Sequence, residues 1–193
     1  VDVSKGTTVF LDAFSNDPET ALLAINAGRQ PNACAEALLL LDSLERRSAL
    51  SVAQEYEMAT LLTEKQMFVE AVARFQKIAE LQPASWENKY NLAIALLKAK
   101  QQEKALTLLV PLATERPKDI NIAILMASAY EASGNYPLAL QAYQKAITID
   151  PLNSARYLDF TRVLMDLNRF DEAAAILQQG ISNVTDPYAL TVR

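Results

Sequence analysis

The sequence predicts an all-α protein of stacked antiparallel helix pairs, about twelve helices in 193 residues. Three observations carry this reading. Prolines stand at positions 83, 117 and 151, a spacing of 34 and again 34, and a fixed period of that size marks stacked repeats. Alanine lies twelve residues before each of these prolines (Ala71, Ala105, Ala139), and a large apolar residue lies eight before (Phe75, Leu109, Tyr143); Ala173 and Leu177 extend the series. Within each period the apolar residues fall at helical spacing in two separate stretches.

Taken in chain order, the front is the least regular part. The segment FLDAFSNDP at 10–18 parallels YQKAITIDP at 143–151, so 7–17 reads as the second helix of a preceding repeat. From Pro18 to Pro83 is 65 residues, three short of two periods. A degenerate repeat with a shortened first helix therefore fills 19–51, turning near Gly28 to Pro31. Residues 1–51 are thus a half-repeat and a degenerate repeat. Four full repeats follow over 52–187, with boundaries at 52–85, 86–119, 120–153 and 154–187, and 188–193 reads as the start of a further helix. Missing end caps predict a window on a longer solenoid.

The repeat 120–153 shows the local physics best. Ile122, Leu125, Met126, Ala129 and Tyr130 line one helical face, and Ala139, Leu140, Tyr143, Ala146 and Ile147 line the next. Ser133-Gly134-Asn135-Tyr136 is a turn, and Pro137 sits in the first turn of the second helix, where its missing amide costs little. Pro151 cannot continue that second helix, because it lacks an amide and clashes with the preceding turn. Asn153 then caps the next first helix, as Asp119 and Ser85 do one and two repeats earlier. Pro111 lies six residues before Pro117, inside a second helix, and predicts a bend between Thr107 and Leu112.

These residues resemble the tetratricopeptide repeat family. The match is fullest in 120–153, through Ala129-Tyr130, Gly134, Tyr136, Ala139, Tyr143, Ala146 and Asp150-Pro151. It continues through Tyr90-Asn91-Leu92, Ala105 and Pro117 in 86–119, and through Ala71, Phe75-Gln76-Lys77 and Pro83 in 52–85. The repeat 154–187 keeps Phe170 and Asp171-Glu172-Ala173 but carries Gly180 and Thr185 where Ala and Pro are usual. The resemblance implies a right-handed α-solenoid, a superhelix whose concave groove is lined by the first helix of each repeat. It also implies that Tyr130, Tyr136 and Tyr143 are packing residues.

Composition limits the chemistry. There is no histidine, which removes the commonest general base and metal ligand. The single cysteine, Cys34 between alanines, reads as a small packing residue. Four scattered glycines cannot build a phosphate loop. Carboxylate pairs such as Glu55 and Glu57 do not face one another on a helix and read as a solvated face. No catalytic, metal-binding or cofactor-binding residues are therefore assigned, and the chain is read as non-enzymatic. The net charge of -5 opposes nucleic-acid binding. Apolar runs such as Ala37 to Leu41, Leu92 to Leu97 and Ile122 to Ala127 are too short for membrane insertion. Nothing in the sequence fixes a compartment.

The implied function is a protein-interaction scaffold, with a peptide or partner surface held in the groove. By the resemblance, the groove positions include Tyr56, Thr60 and Glu64, then Tyr90, Asn91, Ile94 and Leu97. Ile124, Ser128 and Glu131 follow, and then Leu158 and Arg162. With their groove neighbours these positions carry six acidic and two basic residues, a net of -4. The expected partner is a protein or peptide carrying apolar anchors and Lys or Arg. One subset of the family clamps a C-terminal carboxylate with Lys, Arg and Asn. Asn91 matches a clamp asparagine, but Tyr56, Asn121 and Leu125 replace the other clamp residues and oppose that role. Two alternatives stay open: a recognition arm of a larger enzyme or secretion machine, and a structural solenoid self-associating through its open ends.

Overall fold

The computed structural model of the chain describes residues 49–184 together with Leu38, Leu41, Asp42, Glu45 and Arg46. All regular structure among the described residues is helical. Eight complete helices run in order: α1 (Val52–Glu64), α2 (Phe68–Leu81), α3 (Trp86–Lys98), α4 (Gln102–Glu115), α5 (Ile120–Ala132), α6 (Tyr136–Ile149), α7 (Ser154–Asp166) and α8 (Phe170–Asn183). This is fewer than the twelve expected. The helix at 7–17, the turn at Gly28 to Pro31, Cys34, most of the repeat over 19–51 and the helix start at 188–193 lie outside the described residues.

The chain divides into two compact units, Val1–Ala99 and Lys100–Arg193. The first holds α1 to α3, with α2 packed on both its neighbours; the second holds α4 to α8, each packed on the next. The division falls inside the stretch read as the repeat 86–119.

First helices are 13 residues long and second helices 14, too short to be stable alone in water. Their ends are fixed in a repeating way. Each first helix begins with a side-chain cap at the same register. Ser51 accepts from the Gln54 amide while Gln54 returns a bond to the Ser51 amide, a capping box. Ser85 accepts from the Asn88 amide, Asp119 from the Asn121 and Ile122 amides, and Asn153 from the Ala155 amide. The caps expected at 85, 119 and 153 are thus present, and Ser51 adds a fourth. Pro111 lies one turn before the end of α4, which continues past it as helix.

The turn from first to second helix is a left-handed residue, again once per repeat: Gln66, Lys100, Gly134 and Asn168, with φ of 60°, 58°, 76° and 58°. In three of these turns the amides close back on the helix end. Gln66 and Met67 donate to the Thr63 and Leu62 carbonyls, Gly134 and Asn135 to Glu131 and Tyr130, and Asn168 and Arg169 to Met165 and Leu164. That is the Schellman arrangement, which satisfies carbonyls left open at a helix end. Only one of the four turns uses glycine, the residue for which this conformation carries no steric cost.

Side chains at recurring positions form each core. In the first unit Met58, Ala59, Leu62, Ala71, Phe75, Ile78, Leu92, Ala93 and Leu96 are buried. In the second, Ala127, Ala139, Leu140, Tyr143, Ile147, Tyr157, Phe160, Val163, Leu164 and Ala173 form one cluster, with Tyr143 stacked on Phe160 at 6.4 Å. Tyr157 is fully buried, and its hydroxyl donates to the Pro151 carbonyl and accepts from Asn183. Alanine fills one first-helix register three times, at 59, 93 and 127, each 0% exposed. At the fourth, Thr161 is 4% exposed and its hydroxyl has no hydrogen-bond partner.

The left-handed turns give a direct test. No atom lies within 4 Å of where a Gly134 Cβ would sit, so only backbone strain opposes a side chain there. Gly134→Ala should lower stability in urea unfolding by about 1 kcal/mol, and Gln66→Gly should raise it by up to about 1 kcal/mol. Asn168→Gly should change less, since asparagine tolerates this conformation. A destabilised Gln66→Gly protein would contradict the account.

Candidate functional site

Each unit carries an open recess on its first helices. In the first unit the recess, about 140 Å³, is lined by Thr60, Thr63, Glu64, Phe75, Asn91, Ile94 and Ala95. The threonine hydroxyls donate to the Tyr56 and Ala59 carbonyls of their own helix, so this recess is mainly apolar. Tyr56 stands beside it, with its ring edge on Phe75 at 5.8 Å and its hydroxyl accepting from Asn91 Nδ2 at 3.3 Å. That bond links α1 to α3.

In the second unit the recess is larger, about 360 Å³, and is lined by Ser128, Glu131, Ala132, Tyr136, Tyr143, Arg162, Val163 and Asp166. Arg162 of α7 grips Glu131 of α5 with both terminal nitrogens, Nη1 at 2.8 Å and Nη2 at 2.9 Å. Arg162 Nη1 also reaches Asp166 at 3.3 Å, and the Tyr143 hydroxyl donates to Glu131 at 2.8 Å. The Arg162 hydrogen bonds hold the Glu131 carboxyl below its usual value, against a smaller opposing effect of burial. They raise Arg162 in turn, while burial and then the bond to Glu131 raise Tyr143.

The two recesses are the same site two repeats apart. Moving 68 positions carries Thr60 to Ser128, Thr63 to Glu131, Glu64 to Ala132 and Phe75 to Tyr143; Ile94 becomes Arg162 and Ala95 becomes Val163. One backbone cradle therefore carries two chemistries: an apolar one centred on Ile94, and a charged one centred on the Arg162–Glu131 pair.

Of the residues nominated from sequence, Thr60, Glu64, Asn91 and Ile94 come together in the first recess, and Ser128, Glu131 and Arg162 in the second. Tyr56 borders the first. Tyr90 is half-buried, with its ring 6.2 Å from that of Trp86. Leu97 and Ile124 are half-buried and line neither recess. Leu158 packs on the core of the second unit.

Three corrections follow from the geometry. Glu55, read as part of a solvated face, is 0% exposed. Its Oε2 accepts from Arg74 Nη1 at 3.2 Å and its Oε1 is ion-paired to Lys77, while Glu45 binds Arg74 at 2.6 and 2.7 Å. Two cations on one face of α2 thus neutralise two carboxylates, which burial demands. Tyr136, read as packing, is 39% exposed and forms a wall of the second recess. Its register holds an aromatic in three of four repeats, at 68, 136 and 170, and that recurrence was the available signal. The acidic balance of the groove positions is reduced by one charge: Asp159 pairs with Arg156, which lies outside those positions, while Arg162, paired with Glu131 and Asp166, is already among them.

Fold and site together define a helix-pair repeat protein with side-chain recesses on its first helices. A Tetratricopeptide repeat model matches residues 62–129 and again 130–193, more than half of the chain. The chain belongs to the tetratricopeptide repeat family, a family of protein-interaction scaffolds. Among solved structures it is similar to MamA 41-end from Desulfovibrio magneticus RS-1, at 22% identity and TM-score 0.73, over 85% of this chain and 93% of that one. The MamA RS-1 ArsTM double mutant matches at 23% identity and TM-score 0.70, over 89% and 93%. MamA AMB-1 matches at 15% identity and TM-score 0.66, over 91% and 95%. At these identities the likeness is one of fold. No curated protein sequence matches the chain.

The lowered Glu131 carboxyl sets a pH dependence. Its folded value lies below the ordinary 4.5, so its contribution to stability is present above 4.5 and is lost as pH falls through the folded value. Stability measured from pH 6 down to pH 3 should therefore fall more steeply in the native chain than in Glu131→Gln. Parallel curves for the two proteins would refute the pairing.

Proposed function

We propose that this chain is a non-catalytic interaction scaffold that binds a peptide or partner surface on its first helices. The repeat register 52–85, 86–119, 120–153 and 154–187 and a right-handed winding of the pairs belong to this reading. The observation that carries it is the repeat-equivalent pair of recesses. Both are open, and both are built from first-helix positions plus aromatics of the second helix, Phe75 in one and Tyr136 with Tyr143 in the other. Small concave sites with an apolar floor and few polar groups suit side-chain anchors of a polypeptide. No described helix is long and apolar enough to cross a membrane.

The ligand chemistry follows from the lining. The first recess offers Phe75, Ile94 and Ala95 to an apolar side chain, with Glu64 at its edge. Excess acidic charge on the first helices favours a basic segment, chiefly by steering and by rim attraction that salt screens over about 8 Å. Blocked peptides carrying Leu and Arg should bind the full chain better than acidic counterparts in calorimetric titrations. The charge preference should shrink from low to physiological salt, while the apolar contribution persists. Ile94→Ala should weaken Leu-bearing peptides by about tenfold, roughly the value of the apolar surface removed. The reading fails if acidic peptides bind best, or if Ile94→Ala and Tyr90→Ala leave every ligand unaffected.

A further inference from the structure

We infer that the recess of the second unit is a guanidinium site for an arginine of the partner, and that Arg162 occupies it as a self-ligand. The inference rests on the interaction-scaffold reading and adds the chemistry of one subsite. Three observations point to it. Two carboxylates, Glu131 and Asp166, converge on one guanidinium, leaving a net charge of -1 on the three groups. Glu131 Oε2 also accepts from the Tyr143 hydroxyl at 2.8 Å, which helps fix the carboxylate as a fork, the geometry that a guanidinium matches with paired donors. The exposed ring of Tyr136 and the Ser128 side chain complete the wall. Aromatic faces attract cations, arginine most often.

Arg162 is itself the argument that this fork accepts a guanidinium. Its side chain is 51% exposed. It comes from the register that holds Thr60, Ile94 and Ser128 in the other repeats, so the fold does not require a cation there. An exposed pair of this kind holds weakly, because it is screened and both side chains must be ordered. A partner arginine offers the same fork the same two bonds. It must first displace Arg162, and Arg162 therefore lowers the affinity that the recess would otherwise have. Arg162 also rejects neutral segments, since nothing in them compensates Glu131 once the internal pair opens.

The test compares the full chain with Arg162→Ala and with Arg162→Met, which keeps an apolar stem over the core. The probes are a blocked pentapeptide, acetyl-Ala-Leu-Arg-Leu-Ala-amide, and its citrulline counterpart, which has the same shape without the charge. Titration should show the arginine peptide binding both variants more tightly than the native chain, by up to about fivefold, with the citrulline peptide unchanged. Glu131→Gln in the Arg162→Ala background should abolish the gain. The inference is overturned if neither variant gains, if the citrulline peptide gains equally, or if an acidic peptide loses affinity on removal of Arg162, which would make Arg162 an anion anchor. Leu-dependent binding that Ile94→Ala weakens, without an arginine-selective gain, refutes this subsite and leaves the scaffold reading intact. A chain that takes up neither peptide refutes both.

Discussion

The structure depends on close approach between short helices, and a small side chain at one recurring register of each first and each second helix permits it. Ala59, Ala93 and Ala127 of the first helices are fully buried, as are Ala71, Ala105 and Ala139 of the second, with Ala173 nearly so. Helices of 13 or 14 residues cannot hold their hydrogen bonds against solvent by propensity alone. Each must therefore cover its apolar face with a neighbour, and the alanines let it do so along its length. Larger residues, Phe75, Leu109 and Tyr143 among them, then fill the space to either side.

The recesses are a consequence of that packing. Because every pair is built on the same register, the positions facing away from the next helix recur every 34 residues and give equivalent cradles. Side-chain chemistry at those positions is free to vary, since it contributes little to the core. Thr60 and Ile94 make one cradle apolar; Ser128, Glu131 and Arg162 make the other charged. Buried residues such as Ala95 and Val163 serve both core and recess, while Thr60, Ile94, Ser128 and Arg162 set the chemistry of each cradle.

Most of the fold was legible because proline, alanine and cap residues act locally and repeat in register. The caps at Ser85, Asp119 and Asn153 needed only the rule that a side-chain oxygen satisfies the first amides. The left-handed turns at Gln66, Lys100 and Asn168 were less visible, because only Gly134 announces that conformation in its residue type. Within the site, the family resemblance, applied in register, nominated Thr60, Glu64, Asn91, Ile94, Ser128, Glu131 and Arg162. Register could not show that Glu131 and Arg162, 31 positions apart, neutralise one another. Nor could it show that Glu55 is buried, since the compensating cations Arg74 and Lys77 lie on the next helix and Glu45 lies before the repeat begins. Long-range charge pairing leaves no periodic trace in a sequence.

Thr161 offers the sharpest check on the role of the small register. It replaces the alanine of the other three first helices, and its buried hydroxyl lacks a hydrogen-bond partner, a state that costs about 1–3 kcal/mol. Urea unfolding of Thr161→Val and Ala127→Leu tests both sides of the constraint. Thr161→Val keeps the shape and removes the unpaired hydroxyl, so stability should rise by about 1 kcal/mol. Ala127→Leu forces extra volume into a closed contact, so stability should fall by about 1–3 kcal/mol or more. A neutral Ala127→Leu protein together with a destabilised Thr161→Val would show that close packing at this register does not hold the helices together.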